Sequence, residues 1–328
     1  MAIRTLSDTE RRDWLRLIRS ENVGPIAFFQ LLRHCDGAAA ALAAVPDLAR
    51  RAGKKSIRIA SVMEAEREIA DLAKLGGRFV ARGEPDYPPL LAEIEDAPPL
   101  LALRGFAHLW QKPCLAMVGA RNASLNAQRF ARNLAAELGQ AGLTIVSGLA
   151  RGIDTASHQG ALATGTVAVM AGGVDVVYPS ENLALYGQIV ETGAAISEIR
   201  FGETPQARHF PRRNRIVSGV TLGTLVVEAA LRSGSLITAR LAAEQGRDVL
   251  AVPGSPLDPR ASGSNDLLRH GAILVETARD VLDAVLRRPL SEPDKLHEER
   301  NIDISKTNEK DIEKARETIL LALSPSPT

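Results

Sequence analysis

Residues 114–124 read CLAMVGARNAS: five apolar residues in succession, a glycine, an arginine, and then a serine at the mouth of an amphipathic helical pattern. A run apolar at consecutive positions is buried on both faces, as a central strand covered by helices must be. The same unit recurs at LTIVSG (143–148), TVAVMAG (166–172), AAISE (194–198), TLVVEA (224–229), DVLAVPG (248–254) and AILVE (272–276). Apolar runs alternating with helical stretches predict a doubly wound α/β domain with a mostly parallel sheet over about 113–287.

Outward from that core, EPDYPPLLAEIEDAPPLLALRG (84–105) carries five prolines and reads as strand and turn wrapping the sheet rather than a long helix. Before it, apolar residues at helical spacing (Trp14, Leu15, Leu17, Ile18, then Ala27, Phe28, Leu31, Leu32), broken by Gly24-Pro25, Gly37 and Gly53, predict a small bundle of short helices. NVGPIAFFQLL has the look of a helix-hairpin-helix turn, which sets a helix N-terminus against a nucleic-acid backbone, although Gly-Pro between two helices is more often a plain turn. The divisions expected are a helical unit at 1–76, the α/β unit at 77–287, a charged linker at 288–312 poor in large apolar residues, and one amphipathic helix at 313–328.

Forty Lys and Arg against 39 Asp and Glu leave a net charge of +1, so a site for a polyanion has to be local. Cys35 and Cys114 stand far apart, outside any C-x-x-C spacing, which argues against a disulfide framework, a zinc site or a redox pair. The N-terminus lacks the apolar stretch of a signal peptide, and the longest apolar run, 166–177, is interrupted by Gly172, Gly173 and Asp175. No membrane span and a cytoplasmic location are the expectation.

In doubly wound sheets ligands bind beyond the carboxyl ends of the strands, so the residues after each run carry the most information. In VGARNAS, Gly119 permits close backbone approach, Arg121 offers a planar guanidinium, and Ser124 caps a helix whose free amides favour an anion; a phosphate is the natural guest, and a turn with a solvated arginine the plainer alternative. There is no G-x-G-x-x-G, so a dinucleotide site is not supported. SGLARGIDTASHQGAL (147–162) repeats the device with Ser147, Gly148 and Arg151; Asp154 and His158, one helical turn apart, read as a buried hydrogen-bonded pair, since no third ligand stands at a metal-like spacing. ETPQARHFPRRNRIVSG (203–219) reads as a cationic loop in which Arg208, Arg212, Arg213 and Arg215 surround His209, Phe210 and Asn214, with no acidic residue between Glu203 and Glu228. Arginines neutralise phosphates while Phe210 stacks on an unpaired base, a combination suited to single strands; the alternative is a solvated charge run with Phe210 in the core. Further Ser-Gly-Ser turns at 233–235 and 262–264 suggest an extended phosphate track and a polymer ligand.

With these blocks quoted, the chain resembles the DNA-processing protein A family (DprA, also called Smf). The match also takes in YPPLLAEIEDAPPLL, GTVAVMAGGVDVVYPSEN, FPRRNRIVSG, VVEAALRSGSLITARLAAEQGRDVLAVPG and SGSNDLLRHGA, in one order. The resemblance implies a small all-α SAM-like N-terminal domain, an extended Rossmann-like domain and a C-terminal winged helix, of which 313–328 would be the first helix of an incomplete copy. It further implies a non-catalytic, cofactor-free protein that binds single-stranded DNA without sequence preference, forms a homodimer through the Rossmann-like domain, and protects the strand and loads RecA recombinase onto it in natural transformation. By the same resemblance DNA contacts fall on Gly119, Arg121, Ser147, Gly148 and Phe210, with Arg212, Asn214 and Arg215 in the matching stretch. Arg208 stands where some relatives have lysine.

Two rivals remain at this point. TLGTLVVEA is similar to the phosphate-and-glutamate motif of lysine-decarboxylase-like nucleotide hydrolases, which split N-glycosidic bonds, although Thr221-Leu222 replaces the expected Gly-Gly. A nucleotide-sensing module explains the loops as well but leaves Phe210 and its arginines without a purpose.

Overall fold

A computed structural model of the chain describes residues 4–286 apart from 52, 54 and 55. The expected linker at 288–312 and winged-helix segment at 313–328 lie outside the described residues. Four helices come first: α1 (Asp8–Ile18), α2 (Pro25–His34), α3 (Gly37–Arg51) and α4 (Val62–Lys74). Capping boxes start two of them, Ser7 with Glu10 on α1 and Ser61 with Glu64 on α4, each pair satisfying amides that a helix end leaves open. Trp14 and Phe28 meet edge to face at 5.0 Å in their core, as does Phe28 with Phe29 at 5.2 Å.

The chain then runs β1 (Gly77–Ala81), α5 (Pro89–Glu93), β2 (Leu100–Gly105), β3 (Cys114–Val118), α6 (Leu125–Gln140), β4 (Thr144–Ser147), α7 (Ile153–Ala161), β5 (Thr166–Val169), α8 (Leu183–Thr192), β6 (Ala194–Ser197), α9 (His209–Gly219), β7 (Gly223–Val226), α10 (Gly234–Glu244), β8 (Asp248–Ala251), α11 (Ser262–Arg269), β9 (Ile273–Leu274) and α12 (Ala278–Leu286). The nine strands form one sheet in the order β1-β2-β6-β5-β4-β3-β7-β8-β9, in which every pair from β6 to β9 is parallel and β1 and β2 add an antiparallel edge. All seven apolar runs are strands, and the proline-rich stretch supplies β2, its short helix α5 and the turns between.

The strand order explains where a ligand can go. From β3 the chain proceeds to β4 on one side and only later returns to β7 on the other, so the helices after β3 and β7 part and leave a crevice at their carboxyl ends. The helical unit is fastened to the α/β unit: the Arg11 guanidinium meets the Glu84 carboxylate at 2.7 Å, and Arg19, which binds Glu68 at 2.9 Å, donates to the Glu198 carbonyl at 2.9 Å.

One expectation changes here. Residues 209–219 are a helix, α9, and not a loop, with Pro211 in its first turn, where a fixed φ and a missing amide are harmless. Helical spacing sorts its cations: Arg213 shares the inward face with His209, Ile216, Val217 and Val220, while Arg212 points out.

Candidate functional site

The crevice is walled by the 119–122 turn after β3, the first turn of α9, the 148–151 turn after β4, and the segment 230–238 at the start of α10. At its centre Arg121, exposed, lays its guanidinium over the Phe210 ring with Cζ 5.0 Å from the centroid. Phe210 is half-buried and also meets Tyr178 edge to face at 5.9 Å. An aromatic face flanked by an arginine at an open crevice offers both a stacking surface and a cation.

Gly119 and Gly148 are required by the protein's own packing. A Cβ on Gly119 would lie 2.6 Å from Ile153 Cγ1, which fixes how closely the 119–122 turn rides on α7. A Cβ on Gly148 would lie 1.3 Å from Arg213 Nη1, so the missing side chain is the seat of that guanidinium. Arg213 is 5% exposed, donates to the Val169 carbonyl at 3.1 Å, and keeps an Nε without a hydrogen-bond partner. Burial lowers its pKa, the neighbouring Asp154 opposing that shift. Asp154, itself held above the usual carboxylate range by burial, accepts from the Gly148 and Ala150 amides at 3.2 Å each.

Several expected contacts are placed differently. Ser147 is buried, its hydroxyl donating to the Met117 carbonyl at 2.6 Å, so it braces β4 against β3. Arg215 is buried between Glu198 (2.5 Å) and Asp96 (3.1 Å), acids distant in sequence that neutralise it, which takes it away from the crevice and makes it a tie between α9 and the turn after α5. Arg212 is exposed at 3.6 Å from the same Glu198, Arg151 is exposed and paired with Glu181, and Arg208 is exposed with no ion-pair partner among the described residues. Asn214 lines the crevice. The freedom from acids that the linear sequence shows around these arginines is therefore only partly kept in space.

Asp154 and His158 do not bond to each other: His158 Nδ1 meets Thr166 Oγ1 at 2.9 Å, and burial, with the Arg213 charge adding to it, brings its pKa down to about 3. The cap of α6 is held by the protein itself: Glu228 takes the Ser124 amide at 3.0 Å and the Ser124 hydroxyl at 2.7 Å, and the same hydroxyl accepts from the Ala127 amide at 3.1 Å. Both Glu228 oxygens thus hold the cap residue of α6. Among the described residues no group of three or more His, Cys, Asp or Glu is placed to hold a metal ion, and no helix is long and apolar enough to cross a membrane.

Tyr178 and Arg232 were not foreseen as lining residues. Tyr178 follows β5 in the quoted YPSEN block and Arg232 precedes the Ser233 cap, so the strand-end rule applied to every strand would have found both.

Residues 78–286 match the family model for DNA recombination-mediator protein A, and residues 8–70 that for a DprA-like N-terminal HHH domain. DNA processing protein DprA of Streptococcus pneumoniae is 46% identical over 198 residues, 60% of this chain and 70% of that protein. Protein Smf of Escherichia coli is 44% identical over 200 residues, 60% of this chain and 54% of that protein, so the chain spans about half the length of that relative. The X-ray structure of the Streptococcus pneumoniae protein superposes with a TM-score of 0.70 at 36% identity, covering 86% of this chain and 99% of that one. A structure of DNA processing protein A from Helicobacter pylori, described for its single-stranded DNA binding mode, superposes with a TM-score of 0.59 at 26% identity over 64% of this chain and 96% of that one.

Proposed function

This chain belongs to the DNA recombination-mediator protein A family, and from that membership we propose that it binds single-stranded DNA without sequence preference in the crevice at the carboxyl ends of β3, β4 and β7. The observation that carries this reading is the Arg121 guanidinium stacked on Phe210 beside an open crevice. A single strand exposes base faces that an aromatic ring can cover, while its phosphates need cations nearby; a duplex hides those faces and gains nothing from Phe210. Arg121, Arg208 and Arg212 supply exposed positive charge on this side of the sheet.

The action on this reading is binding and hand-over, with no bond made or broken. Membership in the family extends it to protecting incoming strands and loading RecA recombinase onto them in natural transformation, by a cytoplasmic homodimer joined through the Rossmann-like domain, each copy contributing one crevice and the pair gaining avidity.

Fluorescence anisotropy with labelled dT oligonucleotide and a matched duplex, over a salt series, tests the binding step. Single-strand preference is expected. Phe210→Ala is expected to weaken binding by about 1–3 kcal/mol at unchanged salt slope, and Arg121→Ala to make the slope shallower. A folded wild type that ignores dT oligonucleotide refutes the proposal.

A further inference from the structure

The Gly24-Pro25 turn noted in the sequence opens α2 on a cavity separate from the crevice. This cavity, of about 500 Å³, lies between the helical unit and the outward side of α9, and its wall includes residues 24–27, Asp96, Pro211, Arg212 and Arg215. Pro211 lines both this cavity and the crevice, so the two are joined over the start of α9.

Three features of the cavity suit an anion. The first turn of α2 is unclaimed: Gly24, its cap residue, has no side chain to bond the turn, Pro25 removes one amide, and no acidic residue stands there. The Ile26 and Ala27 amides have no acceptor among the described residues. A helix N-terminus in this condition favours a negative guest through its dipole and open amides. Arg215 is the second feature. It is 7% exposed, gives Nε to Asp96 and Nη2 to Glu198, and keeps a buried Nη1 with no hydrogen-bond partner. Leaving a buried donor unbonded is costly, and an acceptor in the cavity would relieve it. The third feature is charge. Arg212, exposed, and Arg215 share the wall with one carboxylate, Asp96, so the lining is positive on balance.

We propose that this cavity seats one phosphodiester of the single strand beyond the crevice, held by the Ile26 and Ala27 amides, Arg212 and Nη1 of Arg215. The helical unit is thereby part of the binding surface. The inference rests on the single-strand reading above and extends it to an element outside the α/β domain. Amides and guanidinium groups meet phosphate oxygens here and no base edge, so the seat positions the strand without reading its sequence.

The test is fluorescence anisotropy of the full chain with labelled dT oligonucleotide over a salt series, for wild type, Gly24→Asp, Arg212→Ala, the double variant and Ala43→Asp. An aspartate at position 24 suits the fold: φ is −90°, nothing stands within 4 Å of the added Cβ, and Asp is a favoured N-cap. It closes the α2 terminus with a carboxylate, so the urea midpoint should be at or above that of wild type while DNA binding weakens. Each phosphate contact on a single strand contributes about 0.7 to the slope of log K against log salt, and Gly24→Asp is expected to lose about that much. Arg212→Ala acts on the same phosphate, so the double variant should lose less than the sum of the two single losses. Ala43→Asp adds a carboxylate at an exposed position of α3 and should keep the wild-type slope. A Gly24→Asp slope equal to that of Ala43→Asp overturns the seat while the single-strand reading stands. Strictly additive losses in the double variant overturn the sharing of one phosphate by α2 and Arg212. Failure of the wild type to bind dT oligonucleotide overturns the reading and the seat together.

Discussion

Replacing Gly148 by alanine removes the space in which the Arg213 guanidinium sits. The added methyl would stand 1.3 Å from Nη1 and 2.2 Å from Cζ, separations no pair of non-bonded atoms sustains, so the arginine has to leave. Leaving breaks its 3.1 Å bond to the Val169 carbonyl and takes a nearby positive charge away from the buried Asp154. Overpacking a filled interior costs about 1–3 kcal/mol, and that is the loss expected. Urea unfolding followed by circular dichroism reads this as a midpoint lowered by about 0.3–1 M, taking a slope of about 3 kcal/mol per M. Gly187→Ala is the matched control: it lies within α8, nothing stands within 4 Å of the added methyl, and the helix should gain about 0.5–1 kcal/mol. A Gly148→Ala protein that unfolds at the wild-type midpoint would refute the reasoning, because Arg213 would then have no need of that space.

Arg215 and Arg212, three residues apart on α9, should separate stability from binding. Arg215→Ala leaves Glu198 without its 2.5 Å partner and is expected to cost about 3–5 kcal/mol in urea unfolding, whereas the exposed Arg212→Ala should stay within about 1 kcal/mol of wild type and weaken dT binding instead. Equal stabilities in the two variants would contradict the division. His158 makes a pH prediction. Its folded pKa, about 3, lies below the 6.5 of an exposed imidazole, so the unfolded chain binds the proton that the fold refuses. Stability is then fully present above the unfolded pKa and declines as pH falls through the window toward 3, by up to about 1.4 kcal/mol per unit. Urea midpoints taken at intervals between neutral and mildly acidic pH should show a steeper decline in wild type than in His158→Asn, and parallel profiles would count against a neutral, buried His158.

The core strands were legible because a parallel sheet covered on both faces needs consecutive apolar residues, and nothing else in the chain imitates CLAMV or TVAV closely. The positions of Arg121 and Phe210 followed from the strand-end rule applied to that pattern. What sequence order hid were contacts between distant acids and nearby arginines. Glu198 and Asp96 lie outside the acid-free interval 204–227, yet the topology brings both to Arg215. The inward turn of Arg213 was available as a four-residue step from His209 and to Val217, but prolines and arginines in FPRRNR disguised a helix as a loop. The self-occupied helix ends were hidden for the same reason: Glu228 is 104 residues from the serine it holds.

That last contact bears on what the crevice turns away. The turn after β3 is the part of such folds that otherwise grips the phosphate of a free nucleotide, and here the Glu228 carboxylate holds the cap residue of its helix. A phosphate entering at that cap would meet like charge.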